Sequence, residues 1–288
     1  MHIVCCLKQV PDTAQVKIDP ETNTLVRTGI ESILNPFDLV ALEQAVRIKE
    51  EHGGTISAIT MGPPQASSIL RQALSLGADQ VALLSDRAFA GADTLATSYT
   101  LAMAIRKLGK KIPVDLVLCG KQAIDGDTAQ TGPGIATRLK YTQLTYVSQV
   151  QWVDSDRRKI QVKRKVDGGV EVVLGDLPAL LTVELDLAHP RRASLPALIE
   201  SLEAPVPIWN AKSIEAVEAL VGIKGSPTSV KKISSPAPRQ GGPKFRAEPD
   251  PVRAVAQCLE VLFADDAFFS DSKKTNGLNA DAEKFQRD

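Results

Sequence analysis

The residues best suited to chemistry lie together in one stretch, Gly120 to Thr131, reading Gly-Lys-Gln-Ala-Ile-Asp-Gly-Asp-Thr-Ala-Gln-Thr. An apolar run from Val114 to Cys119 reads as a buried strand that stops at Gly120. A helical pattern opens around Thr128 to Thr131. A helix start carries N–H groups without intrahelical partners, and its dipole favours anions, so strand, glycine, polar loop and helix can together cradle a phosphate. Asp125, Asp127, Thr128 and Gln130 add groups able to hold a ribose or an adenine edge. The same residues also suit a plain turn in which the aspartates serve as helix caps.

Other chemistries find little support. Cys5, Cys6, Cys119 and Cys258 form no CxxC pair and read as small hydrophobes in a reducing compartment. His2, His52 and His189 are scattered, so no metal site is expected. Lys+Arg and Asp+Glu are both 34, which leaves no basic field for nucleic acid. Aromatic residues make up 4%, too few for base-stacking platforms. No side chain stands out as a nucleophile or general acid, so no catalytic residue is nominated. A strand at Ile3 to Leu7 follows the first residues directly, no apolar run approaches the roughly 20 residues of a membrane span, and a soluble, cytoplasmic protein is expected.

The elements that must position the loop alternate strand and helix. Ile3–Lys8, Thr55–Met61, Val81–Ser85 and Val114–Cys119 read as strands. Helices are expected at Phe37–Glu51, Gln65–Leu76 and Ala92–Leu108. Asn35-Pro36 supplies an N-cap and a first-turn proline for the first helix. Turns are expected at Asp19-Pro20 and Thr28-Gly29. This alternation predicts an α/β fold with a mostly parallel, doubly wound, Rossmann-like sheet for an adenine nucleotide. Ligands of such sheets sit beyond the carboxyl ends of the strands. The loop after Lys8, Asn35–Asp38, Met61–Pro64 and Gly120–Thr131 would meet there. Neither GxGxxG nor GxxxxGK[ST] is present.

Alternating strands at Tyr146–Val153, Lys159–Val166 and Gly169–Leu174 predict an antiparallel hairpin extension, followed by an apolar run at Ala179–Leu185. Residues 189–209 read as a surface excursion. The expected division is a nucleotide- or flavin-binding domain over 1–233 and, over 234–288, a linker, a C-terminal helical arm at Pro251–Phe263 and a polar tail. The arm's apolar side either folds back onto the sheet or clasps a partner.

With these segments in order, the chain resembles the beta subunit of an electron transfer flavoprotein over roughly residues 1–265. Asn35-Pro36-Phe37, Gly120–Thr131, and Val162-Lys-Arg-Lys-Val-Asp-Gly-Gly-Val-Glu followed by Pro178-Ala-Leu-Leu-Thr carry the resemblance. It implies a partner, the alpha subunit, which carries a redox FAD. It also implies that the AMP part of a ligand is held by the backbone at Cys6, by Asn35, Pro36, Phe37 and Asp38, by Met61, and by Gly120, Lys121, Gln122, Ala123, Ile124, Asp125, Gly126, Asp127, Thr128, Ala129, Gln130 and Thr131. Residues 190–200 resemble the loop that docks on acyl-CoA dehydrogenases, with Leu195 at its tip beside Pro196.

Ordinary members hold a structural AMP in the beta subunit, whereas electron-bifurcating members hold a second FAD reduced by NADH. Asp86-Arg-Ala-Phe-Ala-Gly-Ala-Asp-Thr-Leu-Ala-Thr-Ser resembles the bifurcating segment, one glycine short of it. Gly91 and Ala92 would leave room for a ring system. Asp93, Thr94 and Thr97 would reach a diphosphate or ribityl chain, unless they merely cap a helix. With Val10-Pro11-Asp12-Thr13 and Asp125–Gln130, the resemblance favours FAD over AMP. A stand-alone adenine-nucleotide-binding regulator of similar fold is the reading from another class.

Overall fold

Residues 2–7, His-Ile-Val-Cys-Cys-Leu, form a strand (β1) that is buried along its whole length, as a strand covered on both faces must be. In the computed structural model, which describes residues 1–12, 17–18, 25–26, 31–229 and 242–264, the elements after β1 run in the following order. First come β2 (Gln9–Pro11), β3 (Lys17–Ile18), β4 (Leu25–Val26), β5 (Ser32–Leu34), α1 (Pro36–His52), β6 (Thr55–Met61), α2 (Ser67–Ser75), β7 (Gln80–Leu84) and α3 (Thr94–Gly109). Then follow β8 (Leu116–Gly120), α4 (Thr131–Leu139), β9 (Thr142–Asp154), β10 (Lys159–Val166), β11 (Gly169–Asp176), β12 (Ala179–Val183), α5 (Leu195–Glu203), β13 (Ile208–Trp209) and α6 (Pro251–Ala264). The chain divides into two units, Met1–Ser234 and Ser235–Asp288. Thr13, the expected turns at Asp19-Pro20 and Thr28-Gly29, most of the linker and the tail lie outside the described residues.

One sheet organises the first unit, in the order β11-β10-β9-β12-β8-β1-β6-β7-β13. From β9 across to β13 every neighbouring pair is parallel. The β10 and β11 strands add antiparallel to that edge. Successive residues of β1 point to opposite faces, so Ile3, Cys5 and Leu7 join one apolar cluster with α1 and α2 residues such as Leu42 and Leu70. Val4 and Cys6 join the other with Ile105 of α3 and Ile135 of α4. This is an α/β, doubly wound architecture with an antiparallel hairpin extension. Among the described residues, no helix is long and apolar enough to cross a membrane.

Two stretches differ from the sequence reading. The strand expected from Tyr146 starts at Thr142 and pairs parallel with β12, Thr142 opposite Ala179. It joins the central sheet before it turns into the hairpin. Tyr146 itself sits at φ 58°, where that pairing shifts register. Residues 189–209 contain regular structure instead of a loop: α5 and the edge strand β13. Ser194 accepts a hydrogen bond from the Ala197 N–H and Pro196 presets the first turn, so the helix start was written in Ser-Leu-Pro. At the opposite edge, Val170, Val172 and Leu174 of β11 are all exposed. An apolar row on an edge strand is the kind of surface that proteins ordinarily cover. In the second unit, Asp250 accepts from the Val252 and Arg253 N–H groups and so starts α6.

Candidate functional site

Cys6 of β1 lies opposite Cys119 of β8. Just beyond this pair the chain leaves both strands, and the carboxylate of Asp38 ties the two ends together. Its Oδ2 accepts from the Lys8 N–H and its Oδ1 from the Gly120 N–H, both at 2.8 Å. Asp38 is buried in the first turn of α1, where the helix dipole favours negative charge. The Asn35 N–H donates back to the Lys8 carbonyl at 2.9 Å. Gly120 is required by this closeness. A Cβ there would lie 2.4 Å from Phe37 Cβ and 2.6 Å from Asp38 Oδ1.

Asn35 occupies the cap position of α1, but its side chain makes no cap bond, contrary to the sequence expectation. The 120s loop offers its amide both an acceptor and a donor. Asn35 Nδ2 donates to the Gln122 carbonyl at 2.9 Å, and the Ile124 N–H donates to Oδ1 at 3.3 Å. The loop then bends through left-handed backbone at Asp127 (φ 49°) and Ala129 (φ 53°). Such residues cost about 1–2 kcal/mol each when not glycine. At its end α4 starts without a side-chain cap, since Gln130 makes none. The Thr131 and Gly132 N–H groups have no residue four positions back within the helix to accept them. Pro133 has no N–H, and the Gly134 N–H donates to the Gln130 carbonyl.

The neighbouring helix start is closed. Asp93 Oδ1 accepts from the Leu95 and Ala96 N–H groups, at 2.9 and 3.0 Å. Its Oδ2 accepts from the Thr228 N–H and hydroxyl, at 3.1 and 2.8 Å. Burial would push this carboxyl up, but the bonds from Ala96, Thr228 and Leu95 hold it below the usual range. Thr94 Oγ1 donates to Gln130 Oε1 at 2.9 Å, joining the closed start of α3 to the open start of α4.

Between these parts lies a cavity of about 480 Å³, within the usual range of ligand sites. Cys6, Met61 and Gly120 form its sheet end, Asn35 and Asp38 its α1 side, and Asp93, Thr94 and Thr97 its α3 side. Lys121, Gln122, Ala123, Gly126, Asp127, Thr128, Ala129, Gln130 and Thr131 close it from the loop. Five expected residues are not on its walls. Phe37 is buried beside Gly120, with Lys121 Nζ 5.4 Å from its ring, and Pro36 starts the helix behind it. Ile124 is held by Asn35, and Asp125 pairs with Lys8 Nζ at 2.7 Å. Gly91 leaves no room for a ring system. A Cβ there would meet the Ile223 side chain at 2.5 Å, so that space is filled. Leu195 and Pro196 are exposed on α5, apart from the lining.

Sequence reasoning missed Lys8, Leu101, Gly132, Ile135 and Thr228, which also line the cavity. The small residues after Thr131 could have signalled Gly132; nothing local signals Thr228. Burial pushes the Cys6 and Cys119 thiols well up, so neither serves as a thiolate nucleophile near neutrality. The arrangement can bind and orient an anionic group at the uncapped helix start. It presents donors from the backbone and hydroxyls from Thr94, Thr97 and Thr128.

The electron transfer flavoprotein domain family matches residues 22–214. The chain is 50% identical to protein FixA of Azotobacter vinelandii, over 91% of this chain and 95% of that one. It is 50% identical to the caffeyl-CoA reductase-Etf complex subunit CarD of Acetobacterium woodii, over 84% of this chain and 90% of CarD. It is also 50% identical to the electron transfer flavoprotein subunit beta of Clostridium acetobutylicum, over 82% of this chain and 88% of that subunit.

Two outcomes are expected from this geometry. Burial pushes the Asp38 carboxyl up to about 7, with the Gly120 N–H, the Asn35 side chain and the Lys8 N–H pulling the other way. The unfolded chain releases this proton near 4 (about 3.9). Between about 4 and 7 the folded state binds the extra proton, so this group's contribution to stability falls as pH rises through that window. Asp38→Asn should flatten that slope in urea midpoints measured across the window. It should also lower stability at neutral pH by about 1–3 kcal/mol, because one backbone N–H loses its acceptor. An unchanged slope places the titration elsewhere.

Gln130→Asp should cap α4 and put a negative charge at its start, which lowers affinity for a phosphate-bearing nucleotide about tenfold. Thermal stability should hold or rise, since a capped helix is the more stable one. Calorimetric titration with FAD and AMP checks this, and unchanged affinity for both removes the α4 start from the site.

Proposed function

We propose a function from one premise: the chain belongs to the electron transfer flavoprotein family, as a beta-type subunit. On that premise the cavity is the site of FAD. The chain works in the cytoplasm in a heterodimer with an alpha-type subunit, takes electrons from NADH, and divides them between a low-potential acceptor and an acyl-CoA dehydrogenase-type partner. The observation that carries this reading is the uncapped start of α4, with Thr131 and Gly132 among the residues of the cavity wall. Their N–H groups would hold the diphosphate, Thr94 and Thr97 would approach the ribityl chain, and Asn35 and Asp38 would keep the loop and strand ends in place around it. A flavin bound there would supply the electron chemistry, taking up a hydride and giving up electrons singly. The similarity to CarD, by name a subunit of a caffeyl-CoA reductase-Etf complex, supports a chain that works within a multi-protein redox assembly. Leu195 and Pro196, at the exposed start of α5, would contact the dehydrogenase-type partner.

A second reading, a structural AMP without bifurcation, draws on two corrections. Gly91 is filled by Ile223, and both Asp93 oxygens are engaged by α3 and Thr228. Those were two of the five residues in the 86–98 segment that favoured the larger ligand.

Releasing the ligands of the purified heterodimer by denaturation and counting them separates the two. About two FAD and little AMP per pair is the expected result, one flavin coming from the alpha-type subunit. One FAD with one AMP would sink the bifurcating reading.

A further inference from the structure

We infer that Arg71 and the Arg191–Glu43–Glu50 cluster are positioning residues that hold α5 in place at both ends, so that an ordered apolar stripe is offered to an electron-accepting protein with an apolar groove. This rests on the reading of α5 as the partner-docking element.

α5 lacks the support that usually holds a short helix. It is nine residues long, and isolated helices below about 12–15 residues are marginal in water. Helices this short are usually held by burying an apolar face. Here the only buried residue of the helix is a serine, Ser201. Leu195, Leu198, Ile199 and Leu202 are 69%, 45%, 54% and 62% exposed. Their spacing, i, i+3, i+4, i+7, is that of a face turned to a core, yet it is turned outward. Helices that dock into grooves of other proteins anchor themselves with this spacing.

Polar groups at the two ends supply the hold that apolar burial does not. At the carboxyl end, Arg71 of α2 places Nη1 at 2.9, 2.7 and 2.7 Å from the carbonyl oxygens of Ser201, Leu202 and Ala204. The last turn of a helix has carbonyls without intrahelical donors, and a cation there also suits the dipole. Before the amino end, Arg191 donates to the buried Glu43 from its N–H and Nε, at 3.1 and 2.8 Å. It reaches Glu50 through Nη1 and Nη2, at 2.5 and 3.0 Å. Arg47 holds the other Glu43 oxygen at 2.8 Å and donates to the His189 carbonyl at 3.2 Å. The segment leading into α5 is thereby fastened to α1. Ordering the helix within the folded subunit removes that entropic cost from partner binding.

The test uses the cofactor-loaded heterodimer, with an acyl-CoA dehydrogenase as acceptor, and reads electron transfer against acceptor concentration. Arg71→Met should raise KM for the acceptor about tenfold and leave kcat, cofactor content and heterodimer yield unchanged. Amide exchange across residues 197–203 should quicken in the same variant. Arg71→Lys keeps the charge on a shorter side chain, which meets the three carbonyls less closely. It should show the same effects more weakly and serves if the methionine variant fails to assemble. The double variant Leu195→Ala, Leu198→Ala tests the docking reading on its own. If it leaves KM unchanged, docking through α5 is overturned. If it raises KM while neither Arg71 variant does, the docking reading stands and the positioning role is overturned. A wild type that delivers no electrons to the dehydrogenase removes the partner assignment, and unchanged exchange in Arg71→Met then overturns the positioning role as well.

Discussion

The site depends on one buried carboxylate. Asp38 accepts from the N–H of Lys8 and the N–H of Gly120, and so fixes where two neighbouring strands release the chain. Parallel strands diverge into separate loops at their carboxyl ends, and nothing in the ladder itself sets the distance between those loops. One carboxyl group that accepts from both does, and it sits in the first turn of α1. Gly120 follows as a steric consequence, because any Cβ would collide with Phe37 and Asp38. Asn35 continues the same work one turn earlier by holding the loop at Gln122 and Ile124.

What this arrangement leaves is a contrast between two helix starts. The start of α3 is satisfied by Asp93, whose other oxygen holds Thr228 from far along the chain. The start of α4 has no cap, and the left-handed turns at Asp127 and Ala129 bring the loop round to it. The bond from Thr94 to Gln130 keeps the two starts side by side. An anion therefore finds donors at one and a filled acceptor at the other. That is a binding and orienting site, in keeping with a family whose redox chemistry belongs to its flavin.

Much of this was legible in the sequence because it is local. The alternation of strands and helices, the loop from Gly120 to Thr131, and the Asn35-Pro36 helix start are each written in consecutive residues. The parts that were not legible depend on distant partners. Gly91 looked like open space, and Ile223 fills it. Asn35 looked like a cap, and its amide serves residues almost ninety positions away. Residues 189–209 looked like a surface excursion although Leu195, Leu198, Ile199 and Leu202 carry helical spacing behind Ser194, because that run is only nine residues long and is flanked by prolines. The ties that hold α5 come from Arg71 and Glu43, which no reading of the segment itself could supply.

Whether the open start of α4 receives the ligand decides what the cavity is for. Amide hydrogen exchange across residues 120–134, measured on the heterodimer with nucleotide bound and with nucleotide stripped, reads this directly. The predicted result is that Thr131 and Gly132 slow markedly on binding, together with the loop from Gly126 to Gln130, while the capped amides of Leu95 and Ala96 change little. Binding that leaves Thr131 and Gly132 unprotected and slows exchange elsewhere would contradict the account.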